Sequence, residues 1–159
     1  MLLALLIAAG NASCSREAEG TSGAKQDWLH GDVDERFGLV AKHLRGFDMA
    51  MVETGHRYAE LYWAGRDRNW GYAEYQLGKI ELAVANGLER RPLRAESAKM
   101  LQPAVDGVRS AITTKDAEAF DRAFDTLTST CNSCHVAENV EFVKVAEPKV
   151  RLSPVDAGR

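Results

Sequence analysis

The stretch Asp116–His135, DAEAFDRAFDTLTSTCNSCH, decides both the fold and the chemistry. Phe120, Phe124, Leu127, Cys131 and Cys134 recur at three- and four-residue steps, the spacing that lines up side chains on one face of an α-helix, and His135 follows the last of them. Asp116, after Thr113-Thr114-Lys115, is the candidate N-cap, because its carboxylate can accept a backbone N–H that the first turn leaves without a partner. At the far end Cys131-Asn132-Ser133-Cys134-His135 spells C-x-x-C-H. That arrangement attaches a c-type haem: the thiols form thioether bonds to the porphyrin vinyl groups, and the adjacent histidine binds iron from the proximal side. The expectation is one covalent haem c on the apolar face of the last helix.

Other uses of the motif lack their further requirements. A zinc site needs a second pair of ligands, but the one other cysteine is Cys14, and His30, His43 and His56 form no pair at metal-binding spacing. A thioredoxin-type dithiol opens a helix in a βαβ setting, whereas this pair comes late in a helical pattern.

Working back from Asp116, the chain shows three more stretches of helical period. Phe37, Val40, Leu44, Phe47, Met51, Thr54, Tyr58 and Leu61 predict a first helix, with Asp32 or Asp34 as its cap and an end near Ala64-Gly65. Trp70, Ala73, Leu77, Ile80 and Val84 predict a second, capped by Asp67 or Asn69 and stopping at Asn86-Gly87 or Arg91-Pro92. Ala98, Leu101, Val105, Val108 and Ile112 predict a third, in which the interior Pro103 implies a kink or a new turn. Four amphipathic helices with short connections imply an all-α protein, an antiparallel four-helix bundle with the prosthetic group between helices near one end. This domain is expected over 31–146, followed by an extended tail over 147–159 marked by Pro148 and Pro154.

Residues 1–30 read as a leader and linker. Met1–Ala9 is an apolar run of signal-peptide length, too short to span a membrane, followed by small residues. Export to the periplasm agrees with the motif, since bacterial haem attachment at C-x-x-C-H takes place outside the cytoplasm. Asn11-Ala12-Ser13-Cys14 resembles a lipoprotein processing box, so Cys14 is a candidate for acylation and membrane anchoring; ordinary cleavage after Ala12 or Ser13 is the alternative. The small and polar residues from Ser15 to Gln26 suit a flexible tether. The formal charge is −3, and no basic run offers a phosphate-binding surface, so nucleic acid is not an expected partner. Haem propionates would add negative charge, which favours a redox partner with a basic or mixed docking patch.

With the helix order and the motif together, the chain resembles the class II cytochromes c, cytochrome c′ and its low-spin relatives. The resemblance covers roughly residues 34–145 and rests most specifically on Cys131, Cys134 and His135. It implies that Cys131 and Cys134 are the thioether residues and His135 the proximal ligand. Two features depart from the family: the basic residue it typically carries four positions after the ligating histidine is here Asn139, and the chain runs well past His135. The family often forms homodimers through its first two helices.

The sixth iron ligand divides the functional readings. A side-chain ligand there suits electron transfer, and the low-spin relatives take a methionine from the first helix; an apolar, open position suits binding of NO or CO. Met51 lies on the core stripe with Gly55 one turn later, and is the first candidate. Met49 points off the stripe, His56 and His43 are further options, and no ligand at all is the last. Two readings follow: a periplasmic single-haem electron carrier with His/Met ligation, and a gas-binding haem protein. No Arg/His pair can be assigned to a distal face where peroxide would be cleaved, so an enzyme is not expected. If Cys14 is acylated, Cys14→Ser moves the protein from the membrane fraction to the soluble periplasm; fractionation of the two forms checks this, and unchanged partitioning counts against the anchor.

Overall fold

The computed structural model describes residues 28–155, and among them are six helices and no strand. The chain is therefore all-α. In order the elements are α1 (Val33–His43), α2 (Phe47–Arg66), α3 (Trp70–Arg90), a 3-10 turn (Pro92–Arg94) running into the single-turn α4 (Ala95–Ala98), α5 (Leu101–Thr114) and α6 (Ala117–Ala137). Residues 1–27, with the expected leader and Cys14, and residues 156–159 lie outside the described residues. The chain divides into two units, one ending at His43 and the other starting at Leu44.

The described part of the first unit is α1 and the turn before it. Asp32 and Glu35 form a reciprocal capping box: Glu35 N–H donates to Asp32 Oδ1 and Asp32 N–H to Glu35 Oε2, both at 2.9 Å. No residue of α1 is buried, and Phe37, expected on a core stripe, is 69% exposed. The expected single first helix is two helices. Arg45 turns the chain with a left-handed φ of 61°, and Gly46 opens α2. The apolar period runs through Leu44 unbroken, so spacing alone does not reveal the break.

In the second unit α2 and α3 pack most extensively on each other, as do α5 and α6, while contacts of α3 with α5 and of α2 with α6 join the pairs. The connections explain the pairing. At the end of α2, Asn69 N–H donates to Ala64 O and Arg68 N–H to Gly65 O, both at 2.9 Å, with Arg68 left-handed at φ 58°. Asn69 Oδ1 then accepts Tyr72 N–H at 3.1 Å and caps α3. The same device recurs after α5: Lys115 is left-handed, its N–H and that of Asp116 donate to Ile112 O and Ala111 O, and Asp116 Oδ1 accepts Ala119 N–H at 2.9 Å. A left-handed non-glycine residue costs about 1–2 kcal/mol, offset by the carbonyls that these turns satisfy. Pro103 causes no kink, because α5 begins at Leu101 and proline sits in its first turn, where no intrahelical N–H bond is required.

The core of this unit draws Tyr58, Leu61 and Tyr62 from α2, Ala73, Leu77 and Ile80 from α3, Val105, Val108 and Ile112 from α5, and Phe120, Phe124 and Leu127 from α6. Each fully buried large apolar side chain stabilises by about 1.5–3 kcal/mol. Aromatic rings fill the α2–α6 seam: Phe124 lies 4.6 Å from Tyr58 and 5.3 Å from Tyr62, and Phe120 lies 5.9 Å from both Phe124 and Trp70. Gly65 makes the notch that admits Phe120, because a Cβ there would overlap the ring. Gly65→Ala is expected to lower stability by about 1–3 kcal/mol through overpacking. Gly78→Ala, whose Cβ meets nothing within 4 Å, should instead gain up to about 1 kcal/mol from helix propensity. Urea titrations compare them, and an unchanged midpoint for Gly65→Ala contradicts the notch.

Candidate functional site

Cys131, Cys134 and His135 occupy the last two turns of α6, where the three- and four-residue steps from Cys131 place all three on neighbouring positions of one face. Neither cysteine is in a disulfide, and both are partly buried. Cys131 packs against the core. Burial, with a smaller contribution from Cys134, pushes its thiol from the ordinary 9.0 up to about 11. Burial also raises the Cys134 thiol, against the opposing effects of a hydrogen bond with Ser97 and the charge of Arg94. Both thiols are thus protonated at neutral pH, opposite to the lowered value a disulfide-exchange centre needs.

The chain beyond α6 folds back onto the motif. Asn139 takes the left-handed conformation at φ 58°, with Val140 N–H donating to His135 O at 2.9 Å and Asn139 N–H to Val136 O at 3.1 Å, which closes the helix. Asn139 is therefore the helix stop. Glu138 accepts from Ser97 and pairs with Arg94, which ties the end of α6 to the α4 turn. Next, Val143 O lies 2.6 Å from His135 Nδ1. A carbonyl can only accept, so Nδ1 carries a proton, and in the neutral imidazole this leaves the lone pair on Nε2. Two residues on, Val145 N–H donates to Asn132 Oδ1 and Asn132 Nδ2 donates to Val145 O, each at 2.9 Å. Further along, Tyr62 donates to Glu147, and Arg151 pairs with Asp67 at 2.7 Å with its guanidinium 5.0 Å over the Trp63 ring. The extended segment expected from 147 thus starts near Val140 and is docked along α6 and α2.

The seam between α2 and α6 sets what faces the motif. Gly65 meets Phe120, Tyr62 meets Phe124, and the Tyr58 hydroxyl bonds Thr128 Oγ1 at 2.7 Å. Positions rise along one helix as they fall along the other, so the helices run antiparallel. Both rise equally per residue, and the same count continued brings Gly55 level with Cys131 and Met51 level with His135. Met51 is partly buried, Met49 is 40% exposed, and His56 and His43 are exposed. Gly55 has no atom within 4 Å of where a Cβ would stand, and Thr54 Oγ1 beside it is a buried hydroxyl with no hydrogen-bond partner among the described residues.

Compared with known proteins, the chain matches no family model, no curated protein and no solved structure.

Among the described residues, no group of three or more His, Cys, Asp and Glu side chains is arranged to hold a metal ion unaided. Two concavities among the described residues lie elsewhere: one of about 690 Å³ beside Asn69, Trp70 and Lys115, and one of about 340 Å³ between α3, α4 and α5. The motif lies instead on a half-exposed helix face, with apolar Val136, Phe142 and Val143 exposed beside it. Free thiols on one face, a histidine whose Nδ1 is engaged by a carbonyl and an adjoining apolar surface fit a flat group bound through both thiols and through iron. Sequence reasoning missed Asn132, which stands at a variable position of the motif, and Val143, which acts through its backbone.

The raised thiol of Cys131 gives a pH test. A folded-state value above the unfolded one stabilises the fold fully below the unfolded thiol range, and that contribution is lost as pH rises towards 11. In chain with free thiols, iodoacetamide at pH 8 is expected to label Cys134 faster than Cys131, with Cys131 labelling climbing only as pH approaches 11. Equal rates at pH 8, read by mass spectrometry, contradict the burial.

Proposed function

We propose that α2, α3, α5 and α6 form an antiparallel four-helix bundle carrying one haem c, and that the protein is a single-haem electron carrier of the periplasm. The observation that carries the reading is the 2.6 Å bond from His135 Nδ1 to Val143 O. It orients the imidazole and reserves Nε2 for iron, the second-shell arrangement that metal-ligating histidines use. Cys131 and Cys134 would form the thioether bonds, and His135 would be the proximal ligand. When bound, the group supplies a one-electron ferrous/ferric couple.

This chain's own residues set the conditions for that couple. Phe124 and Leu127, one to two turns before the cysteines, are buried and keep water from the inner side of α6. Val143 O makes the imidazole a better electron donor by accepting its Nδ1 proton in a hydrogen bond, which favours the ferric state. Met51, level with His135 on the facing helix, is the proposed sixth ligand, and a thioether there favours the ferrous state. Opposed ligands of this kind hold the potential in a range suited to exchange with a protein partner. Export, and anchoring through an acylated Cys14, belong to the same proposal and rest on residues 1–14 of the sequence. No helix among the described residues is long and apolar enough to cross a membrane.

Absorption spectra of the purified protein in both oxidation states, with and without CO, test the reading. A low-spin spectrum with a methionine-to-iron charge-transfer band is expected, whereas a five-coordinate ferric spectrum and immediate CO binding would assign the chain to gas binding. Cys131→Ala should abolish double covalent attachment. Met51→Ala is expected to open the iron, lower the potential and speed CO binding, while Met49→Ala changes little; if Met51→Ala only lowers stability by about 2–5 kcal/mol, the sixth ligand is another residue.

A further inference from the structure

The segment after α6 makes three hydrogen bonds with side chains of the motif itself. Asn132, between the two cysteines, points its amide at Val145 and exchanges two hydrogen bonds of 2.9 Å with that residue's backbone, the pairing one peptide group makes with another across a sheet. Its Nδ2 also reaches Thr128 O at 3.1 Å, which fixes the side chain against its own helix. Between Asn132 and His135 on α6 and between Val145 and Val143 on the segment the geometry is closed: holding Val145 fixes where the Val143 carbonyl stands, and that carbonyl meets His135 Nδ1 at 2.6 Å. Val143 is held from the other side as well, by the turn in which its N–H donates to Val140 O at 2.9 Å, and Val140 N–H in turn donates to His135 O. The Val140 N–H, both backbone groups of Val143 and both of Val145 are thus paired, which holds the two ends of this loop in place.

We propose that Asn132 is a positioning residue for the proximal histidine, acting through Val145 to hold the Val143 carbonyl on His135 Nδ1 and so to set the donor strength of Nε2. This rests on the haem c reading, and it assigns a role to a side chain at a position that the attachment motif leaves open. The chemistry is a tuning of basicity: a firm acceptor at Nδ1 shifts electron density towards Nε2, strengthens the bond to iron and stabilises the ferric state. Loosening that acceptor weakens the bond and favours the ferrous state. A side chain that merely braced the helix end would affect stability and leave both quantities where they were.

The test compares full-length wild type with Asn132→Ala, which loses both bonds to Val145, Asn132→Asp, which keeps the acceptor and loses the donor, and Val145→Pro, which attacks the clamp from the other side. Three quantities are read: hydrogen exchange at the Val143 amide, the ferrous iron–histidine stretching frequency, and the reduction potential. Asn132→Ala and Val145→Pro should raise exchange, lower the stretching frequency and move the potential positive by roughly a tenfold change in the one-electron equilibrium, about 59 mV. Asn132→Asp should fall between them and wild type, and serves as the folded comparison if Asn132→Ala does not accumulate. Faster exchange with unchanged frequency and potential overturns the proposal, as does a Val143 amide that exchanges freely in wild type. A pyridine haemochrome assay of wild type separates the two levels: absence of haem c refutes the underlying reading. The clamp is then judged by whether ¹⁵N NMR finds the His135 proton moved off Nδ1 in Asn132→Ala, and an unmoved proton overturns it.

Discussion

The fit of the Phe120 ring into the notch left by Gly65 fixes where α6 stands against α2, and the site inherits its geometry from that contact. Two helices can slide along one another by a turn if their facing side chains are interchangeable. Here they are not: one position has no side chain and its partner has a fully buried ring, with Phe124 against Tyr62 and Tyr58 as the next steps. Tyr58 adds a directional bond, because Thr128 gives its own hydroxyl proton to Phe124 O at 2.9 Å and must accept from tyrosine. A slip by one turn would lose the notch, the ring contacts and this bond together. What stands opposite His135 is decided about four turns away, at Phe120.

Polar contacts complete the frame without being its source. Arg109 on α5 pairs with both Glu74 and Glu81 on α3, and Tyr72 on α3 donates to the buried Glu60 on α2 at 2.8 Å. Burial between helices leaves a carboxylate such as Glu60 dependent on its partner, since a charge stripped of water and left unpaired costs far more than the bond returns. These pairs specify which helices are neighbours. The ion pairs at more exposed positions, such as Arg66 with Asp121, add little by comparison.

Much of this architecture was legible from residue type and spacing. Asn69 and Asp116 cap the helices they were expected to cap, and Leu77, Ile80, Val105, Val108, Phe120 and Leu127 are buried as their periods imply. The break at Arg45 was hidden because an apolar stripe reports side chains and not backbone turns, whereas Pro103 marked a new start, the second of its two expected outcomes, since α5 begins at Leu101. The motif residues were named from their spacing alone, and Met51 was singled out from its place on a stripe whose first half proved exposed. Val143 could not have been named: its contribution is a carbonyl that every residue possesses, and only the folded path of the segment after Asn139 makes that carbonyl particular.

That path also sets an order of events in folding. The α2–α3 and α5–α6 pairs join neighbours across connections of three and two residues, so they close with little loss of chain entropy. Tyr62 with Glu147 spans 85 residues, and Arg151 with Asp67 nearly as many. Contacts of such separation form late, once both helix pairs have met and offered a groove. The Val143 carbonyl, by contrast, stands only eight residues from His135, so that contact closes locally and does not wait for them. The tautomer of His135 is thus set by a short loop, while the long-range bonds of Glu147 and Arg151 decide where the continuation of that loop lies against α2.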